Sequence, residues 1–346
     1  MAGRWRSLGA VAITAVAAVG AASSAQARLV YERGFRTSHP TIWIARDDGT
    51  HARRLAAGSS PMISPDGRLV AYRSTSSSAR ERLMLIAAGG GPPRVLLSAP
   101  ILLAVSWSPN SRHIAAIEQT RVTRTTRQTE RTVVIDVRSG AIRPVSRASL
   151  PYSVSFSPHG TELAYTWSPS ANPIRDDIYR VAASGGRAVR LTFDGQSMMP
   201  LWGRDWIVFV RQSPATASDP IPKQNLYLVR PNGTGRHRLT HAAIGLHMFG
   251  FTPVDWSASG RRLIAEFAGP GISYVVTVDV RTGAVRRVGS TTSGGVVRGA
   301  ALSRDGTTIL GVQDRAGGVE SVVTLPYGGG RVHVLARDAV GPSWSR

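Results

Sequence analysis

A repeated sequence pattern is the feature that most constrains the fold of this 346-residue chain. One unit reads PMISPDGRLVAY from Pro61. Related segments begin at Val105, Val154, Val254 and Ala300, with a shortened version at Pro200 and a last one at Pro342. The serine of the pattern, or its equivalent, recurs every 42 to 54 residues. This is the period of a β-propeller blade.

A second pattern follows each of these segments and contains a Gly-rich hairpin, as in TIWIARDDGTHARRL from Thr41 and NLYLVRPNGTGRHRLT from Asn225. Each repeat therefore offers four short runs of β-branched and aromatic residues separated by turns. In the SPDG turn, Pro presets φ and Gly accepts a positive φ. We predict an all-β fold, a seven-bladed β-propeller of four-stranded blades.

The two ends of the pattern predict how the ring closes. Arg28–Glu32 matches the second strand of a repeat, and Pro342–Ser345 matches the first. We expect the N- and C-terminal strands to complete one blade together, because this pairing leaves no free sheet edge at the seam. Residues 28–346 then form a single propeller domain.

One position in the first strand of each repeat is large and apolar. Its members are Ile63, Trp107, Phe156, Trp202, Trp256, Leu302 and Trp344. We interpret them as wedges packed between neighbouring blades rather than as a ligand-stacking cage.

The PMISPDGRLVAY and NLYLVRPNGTGRHRLT segments resemble the repeats of the C-terminal propeller of TolB and of WD-repeat-like exported bacterial proteins. The resemblance extends over nearly all of residues 28–346. It implies a propeller fold and an exported protein. It implies no particular activity, because this repeat serves many proteins.

The N-terminus has the composition of a secretory signal. Arg4 and Arg6 precede the apolar run Leu8–Ala22, and Ala25-Gln26-Ala27 has the small-x-small form that signal peptidase requires. The run is short for a membrane-spanning helix of about 20 residues, the competing interpretation. We predict a signal peptide over residues 1–27, cleaved after Ala27. The mature protein is then secreted or periplasmic, within the cell envelope, without membrane insertion.

Composition limits the chemistry and the partners. The chain has no cysteine, which excludes disulfides and thiol chemistry, and its formal net charge is +21. Arginines recur on the last strand of the repeats: Arg54, Arg94, Arg143, Arg190, Arg238, Arg287 and Arg331. Because they are spread around the whole ring, we expect them to protect blade edges rather than to bind nucleic acid.

The long connections fall at one end of the strands, where recognition loops usually lie. They are Glu118–Arg131, Ser168–Asp176, Arg211–Gln224 and His241–Pro253. In the first of them Arg121, Arg124, Arg127 and Arg131 could grip an anionic polymer or an acidic protein surface. The alternative is a solvated strand extension of alternating Thr and Arg.

His241 and His247, with His237 just before them, form the only histidine cluster, in a loop that also holds Met248, Phe249 and Phe251. No carboxylate lies among these residues, and their spacing matches no metal motif. We expect an apolar loop that plugs or lips the channel, with His241, His247 and Phe249 as candidate binding contacts, and no metal.

No nucleophile elbow, HExxH pair or phosphate-binding loop occurs. Asp176, Asp177, Asp194, Asp219 and Asp314 lie in or beside the long connections, but sequence alone does not bring them together. We expect a monomeric, non-catalytic binding propeller without cofactor, its partner a protein or an anionic cell-envelope polymer. The alternative is a lyase or hydrolase with its site in the channel.

Overall fold

The computed structural model describes residues 28–74, 80–119, 130–148, 153–168, 175–289, 296–314 and 318–345. Within these ranges the chain contains β-strands and turns and no helix. The strands form antiparallel four-stranded sheets in chain order, with one larger sheet. The predicted all-β architecture is confirmed.

In the first three sheets, strands that are consecutive in the sequence are neighbours in the sheet. The first sheet contains β1 (Arg28–Arg33), β2 (Thr41–Arg46) and β3 (Arg53–Ala57). The second contains β4 (Ser59–Ile63), β5 (Leu69–Arg73), β6 (Glu81–Ala87) and β7 (Arg94–Ala99). The third contains β8 (Ile101–Trp107), β9 (His113–Gln119), β10 (Glu130–Asp136) and β11 (Ile142–Ala148).

The later strands repeat the same order. A fourth sheet contains β12 (Val154–Phe156), β13 (Glu162–Trp167), β14 (Asp177–Ala182) and β15 (Val189–Arg190). The eight-stranded sheet contains β16 (Ser197–Trp202), β17 (Ile207–Gln212), β18 (Gln224–Val229), β19 (His237–Arg238), β20 (Gly250–Trp256), β21 (Arg262–Gly269), β22 (Ile272–Asp279) and β23 (Val285–Arg287). The last group is β24 (Val296–Leu302), β25 (Thr308–Asp314), β26 (Glu320–Pro326) and β27 (His333–Arg337).

The remaining strand, β28 (Val340–Trp344), returns to the beginning of the chain and pairs with β1. Leu29 lies opposite Trp344, and the backbone N–H of Ser345 donates to the carbonyl of Arg28 at 2.9 Å. The order β28-β1-β2-β3 defines the seam sheet. The two ends of the chain therefore complete one sheet, as the sequence pattern predicts.

A buried serine explains how the SPDG segment forms the turn after β4. The Ser64 hydroxyl accepts the N–H of Leu69 at 3.0 Å and donates to Asp66 at 2.6 Å. The N–H of Gly67 closes the turn on the carbonyl of Ser64, with a φ of 71° that favours glycine. Ser108 with Asn110, and Ser303 with Asp305, repeat the same bonds.

Two ends of the strands can now be distinguished. We call the turn face the end that carries the connections between first and second strands, such as 64–68, and between third and fourth strands, such as 88–93. We call the loop face the opposite end. It carries the connections between second and third strands, such as 213–223, and those from one sheet to the next, such as 239–249.

The core lies between neighbouring sheets, where the predicted wedge residues pack. Trp107 packs against apolar residues of two sheets, including Ala71 and Ile114. The Trp256 indole N–H donates to the carbonyl of Leu201 in the preceding first strand at 3.1 Å. Trp107 and Trp256 thus contact neighbouring sheets, as the wedge interpretation predicts, and the indole hydrogen bond adds a polar link between strands. Six of the seven wedge residues, all except Leu302, also line the central space that the sheets surround.

Candidate binding face

The loop that holds the candidate histidines is held in place by one ammonium group. The Nζ of Lys223 donates to the carbonyl of Gly245 at 3.0 Å and to that of Met248 at 2.9 Å, and it pairs with Asp219. The lysine side chain hydrogen bond is the largest contribution that holds the pKa of Asp219 below its usual range. An ammonium has three donors, and here all three have acceptors. Residues 241–249 are called the pinned loop below.

The pinned loop also joins the neighbouring strands through its backbone. The Phe249 N–H donates to the carbonyl of Ala268 at 2.9 Å, and its own carbonyl accepts the N–H of Gln224 at 2.7 Å. These bonds hold the end of the loop beside the turn between β21 and β22. The exposed Ile272 of that turn therefore lies on the same part of the loop face.

Exposed apolar side chains concentrate at the loop face. Ten large apolar residues are exposed in the described part of the chain, and three of them, Val95, Ile142 and Val189, lie on outer strands. The other seven lie in loop-face connections or at the loop-face ends of β8 and β22: Ile101, Leu103, Phe193, Leu246, Phe249, Ile272 and Val319. Phe193 and Leu246 are 72% and 67% exposed. Such clustering is typical of an interaction surface.

The structure separates the three histidines. His241 and His247 are exposed in the pinned loop, and His247 has a φ of 61°. His237 instead stacks edge-on against Trp206, with ring centroids 5.2 Å apart. Within the described residues no group of three or more His, Asp or Glu side chains could hold a metal ion.

The aromatic residues of this segment lie elsewhere than the sequence suggested. Phe251 is buried against Phe267, with ring centroids 4.9 Å apart, and no residue of the pinned loop lines the central cavity. The expectation that this loop lips the channel is wrong. The reason is the hydrogen bonding of Lys223 and of the Phe249 backbone, which directs the loop onto the neighbouring sheet edge.

The arginine hairpin is only partly visible. Arg121, Arg124 and Arg127 lie outside the described residues. Arg131 lies on β10 opposite Glu118 and forms an ion pair with this buried carboxylate. The charge of Arg131 is therefore already paired within the sheet, and the proposal that the hairpin binds anions stays a prediction.

Three of the loop-face carboxylates do converge, between β14 and β16. The buried Asp177 accepts hydrogen bonds from the Thr192 hydroxyl at 2.8 Å and the Gly195 N–H at 3.2 Å, and it pairs with Arg190. Asp194 lies in the same connection. Burial alone would raise the pKa of Asp194, but hydrogen bonds from Arg211 and Ser197 hold it below the usual range.

Asp176 differs from both neighbours. It is 4% exposed, and its backbone forms an isolated parallel bridge with Gln196. The Oδ1 atom of Asp176 and the Oε1 atom of Gln196 are buried, and neither has a hydrogen-bond partner in the part of the chain that the structure describes. Burial, together with the charge of Asp177, raises the pKa of Asp176 to about 6.

A second cluster of charges lies between β21, β24 and β25. Arg298 donates in fork geometry to Asp314, at 3.0 and 3.1 Å, and to Glu320 at 2.8 Å. Burial raises the pKa of the nearby Glu266. The arginine pairs with two carboxylates at once, so the cluster forms a partly exposed ion-pair network.

The first strands of the sheets surround a central cavity of about 1050 Å³. Its ionisable lining residues are Glu32, Arg73, Arg204, Asp255 and Arg304, and no histidine lines it. Glu32 accepts the N–H of Ser60 at 2.9 Å, and Asp255 accepts the N–H of Leu302 at 2.8 Å. Asp255 thus links the first strands β20 and β24, whereas Glu32 links β1, the second strand of the seam sheet, to the first strand β4.

Sequence reasoning missed Lys223 and the pair of Asp176 and Gln196. The signal for Lys223 was its rarity, since every other basic residue among the 42 is arginine. No sequence signal pointed to Gln196. Its relation to Asp176 depends on a bridge between two connections.

Sheets arranged around a shared cavity, with a seam completed by both ends of the chain, define the class: the chain has a TolB-like β-propeller fold. A family model described as the lipoprotein LpqB beta-propeller domain matches residues 45–164. No curated protein matched the sequence.

Solved structures agree on the fold. TolB from Acinetobacter baumannii aligns with a TM-score of 0.55 at 16% identity, over 89% of this chain and 79% of that one. The β-propeller domain of the Trilobed protease from Pyrococcus furiosus aligns with a TM-score of 0.65 at 14% identity, over 90% and 91%. A puromycin-hydrolyzing peptidase from Mycobacterium tuberculosis aligns with a TM-score of 0.62 at 18% identity, over 86% of this chain and half of its own length.

The described part of the chain holds no helix of the length and hydrophobicity needed to span a membrane. At these identities the structural matches speak for the fold alone, and function has to be argued from the surfaces.

Proposed function

We propose that this chain is a non-catalytic binding propeller whose loop face docks a protein partner. The observation that carries the proposal is the concentration of exposed apolar side chains at that face, with Leu246 and Phe249 in the pinned loop and Ile272 at the loop-face end of the neighbouring strand β22. A face that is fixed before the partner arrives loses little conformational entropy on binding.

The charge of the chain limits the class of partner. The chain carries a formal net charge of +21, so long-range attraction favours a partner with a net negative surface. We propose an acidic protein that places apolar residues on the pinned loop. An anionic cell-envelope polymer would also be attracted by the positive charge. Such a polymer would not supply apolar groups to pack against the exposed Phe193 and Leu246.

The central cavity supports binding over catalysis. An enzyme needs titratable groups within hydrogen-bond reach of one another and free to react. The two carboxylates of the cavity, Glu32 and Asp255, are instead engaged by backbone N–H groups.

We propose seven blades, with the eight-stranded sheet counted as two. Its halves, β16–β19 and β20–β23, are joined only by the parallel pair Gln224 and Gly250. A single bridge is weaker than the full antiparallel ladders within each half. Export also belongs to the proposal: residues 1–27 lie outside the described residues, and the lipoprotein and TolB relatives support it.

The test uses the mature protein, residues 28–346, cross-linked to proteins of the native cell envelope. The captured partner is purified, and its affinity is measured by calorimetry for the wild type and for the double variant Leu246→Ser, Phe249→Ser. We expect the double variant to bind at least about tenfold more weakly, which corresponds to about 1.4 kcal/mol.

The matched control is Val95→Ser with Val189→Ser, two equally exposed valines on outer strands. The control should bind like the wild type. Equal affinity of the wild type and the loop-face variant would contradict the proposal. Binding to isolated envelope polymer that high salt abolishes would favour the polymer instead.

A further inference from the structure

One equivalent position of the first-strand turns contributes to the turn-face rim of the cavity: the residue directly after the recurring serine or its equivalent. The described members are Pro65, Pro109, Pro158, Arg204, Ala258 and Arg304, and all of them line the cavity. Among these six described positions, three neighbouring turns present proline, and the other three present two arginines around one alanine.

Contacts between the turns place Ala258 between the two arginines. A Cβ atom built on Gly260, in the same turn as Ala258, would lie 3.1 Å from the Cβ of Arg204. On the other side the Ala258 N–H donates to the carbonyl of Arg304 at 3.0 Å. Arg204 and Arg304 therefore both lie beside the turn that contains Ala258.

Neither guanidinium has a partner in the part of the protein that the structure describes. Within the described residues, Arg204 and Arg304 take part in no ion pair and donate no side-chain hydrogen bond, and both residues are exposed. Arg73, the third arginine of the lining, is instead paired with Glu81 at 3.2 Å.

Asp205 follows Arg204, and Asp305 follows Arg304, but within the described residues neither carboxylate forms an ion pair with these arginines. Asp305 points into its own turn, where it accepts hydrogen bonds from Ser303 and Thr307, and these lower its pKa to about 2. Asp255 precedes Ala258 by three residues, roughly 10 Å along an extended strand. Its two carboxylate oxygens accept the N–H groups of Trp256 and Leu302.

We propose that the turn-face rim binds a small organic anion, with its carboxylate or phosphate group between Arg204 and Arg304. Two guanidinium forks match the oxygen pairs of such groups. The body of the ligand lies in the cavity beside Trp202 and Trp256, which line it. The volume of about 1050 Å³ admits a ligand well above the size of a simple inorganic anion.

Tryptophan fluorescence and calorimetry test the proposal with phenyl phosphate, benzoate and inorganic phosphate, at ionic strength held constant with sodium chloride. The wild type should bind phenyl phosphate or benzoate saturably. The ligand with the higher affinity shows whether the site prefers a phosphate or a carboxylate group. Inorganic phosphate should bind more weakly, because it leaves the tryptophans uncovered.

The variants are Arg204→Gln, Arg304→Gln and their combination. The combination should weaken binding at least tenfold, and each single change less. The matched control is Arg261→Gln. Arg261 is an exposed arginine beside the turn that contains Ala258, and it does not line the cavity. It should leave binding unchanged.

Thermal unfolding of every variant should match the wild type, since the exchanged side chains are exposed. An equal loss of binding in Arg261→Gln, or the absence of saturable binding to the wild type, would overturn the proposal. Neither result bears on the loop face, which lies at the other end of the strands.

Discussion

The turn face and the loop face are made by the same repeat, yet they are stabilised in different ways. At the turn face Ser64 and Asp66, and likewise Ser303 and Asp305, satisfy their own turn with the same hydrogen bonds. At the loop face the connections differ in length, expose apolar side chains and depend on particular partners such as Lys223. The repeat thus determines one face residue by residue and leaves the other free to specialise.

Two glycines give the largest expected contrast between the faces. Gly306, at the turn face, has a φ of 74°, and an added Cβ would lie 2.7 Å from the Cβ of Ser257 in the neighbouring turn. Gly271, at the loop face, has a φ of 72° and open space around it. We expect Gly306→Ala to lower the free energy of unfolding by about 2 to 4 kcal/mol, and Gly271→Ala by about 1.

Urea unfolding of the two alanine variants measures this difference. The backbone strain is matched, so the excess in Gly306→Ala reports packing between turns alone. Similar losses for both variants would mean that the turn face is no more tightly packed than the loop face.

Substitution of Asp176 should give the next largest change in stability. The pH dependence of this change is opposite to that of a carboxylate whose pKa is lowered by folding. The folded pKa of Asp176 is about 6 and lies above the ordinary value of 3.8, so the protonated form is favoured by folding. Its contribution to stability is complete below pH 3.8 and is lost as the pH rises through about 6. We expect Asp176→Asn to stabilise the protein at pH 7.5 by about 2 kcal/mol and to change little at pH 4.

The measurement is the free energy of unfolding of both proteins across this pH range. The amide of Asn can donate to Gln196 as a protonated carboxyl would. Conversely, if Asp176→Asn destabilises the protein most at pH 7.5, the carboxylate is held by a partner in its charged form.

Ser64→Ala should have a smaller effect, about 1 to 2 kcal/mol, because it leaves the N–H of Leu69 without its side-chain acceptor and removes a donor to Asp66. Thermal and urea unfolding measure the loss. The control is Ser218→Ala, an exposed serine of a loop-face connection, for which we expect a change within about 0.5 kcal/mol. Equal losses would remove the contrast in how the two faces are stabilised.

Lys223→Met should change stability least, within about 1 kcal/mol, yet it should loosen the pinned loop. Limited digestion with chymotrypsin, which cleaves after Leu246, Met248 or Phe249, measures this opening. We expect cleavage several times faster than in the wild type. Lys223→Arg keeps the charge beside Asp219 but not the compact ammonium, so its rate should fall between the two. An unchanged rate in Lys223→Met would show that the backbone bonds of Phe249 suffice.

The parts of the fold that depend on local chemistry could be predicted from the sequence. The SPDG turn, the wedge position and the pairing of Arg28–Arg33 with Val340–Trp344 each follow from residues whose preferences agree with the repeat. The hydrogen bond from the Trp256 indole to the carbonyl of Leu201 was not predicted. It joins two repeats, and the pattern within one repeat carries no signal for it.

The site was harder to predict because it depends on contacts between connections. Lys223 reaches carbonyls more than 20 residues further along the chain, and Gln196 meets Asp176 through a single bridge. No periodicity encodes such contacts. His241, His247 and Phe249 were placed in the right loop, but the direction in which that loop turns was set by a residue outside it.

The antiparallel pairing of β1 with β28 also determines how the molecule can be attached to something else. Arg28 and Ser345 are hydrogen-bonded neighbours, so both ends of the folded chain leave from the turn face. A tether at either end, or at both, holds the turn face toward its anchor. In every such arrangement the pinned loop points outward, away from the point of attachment.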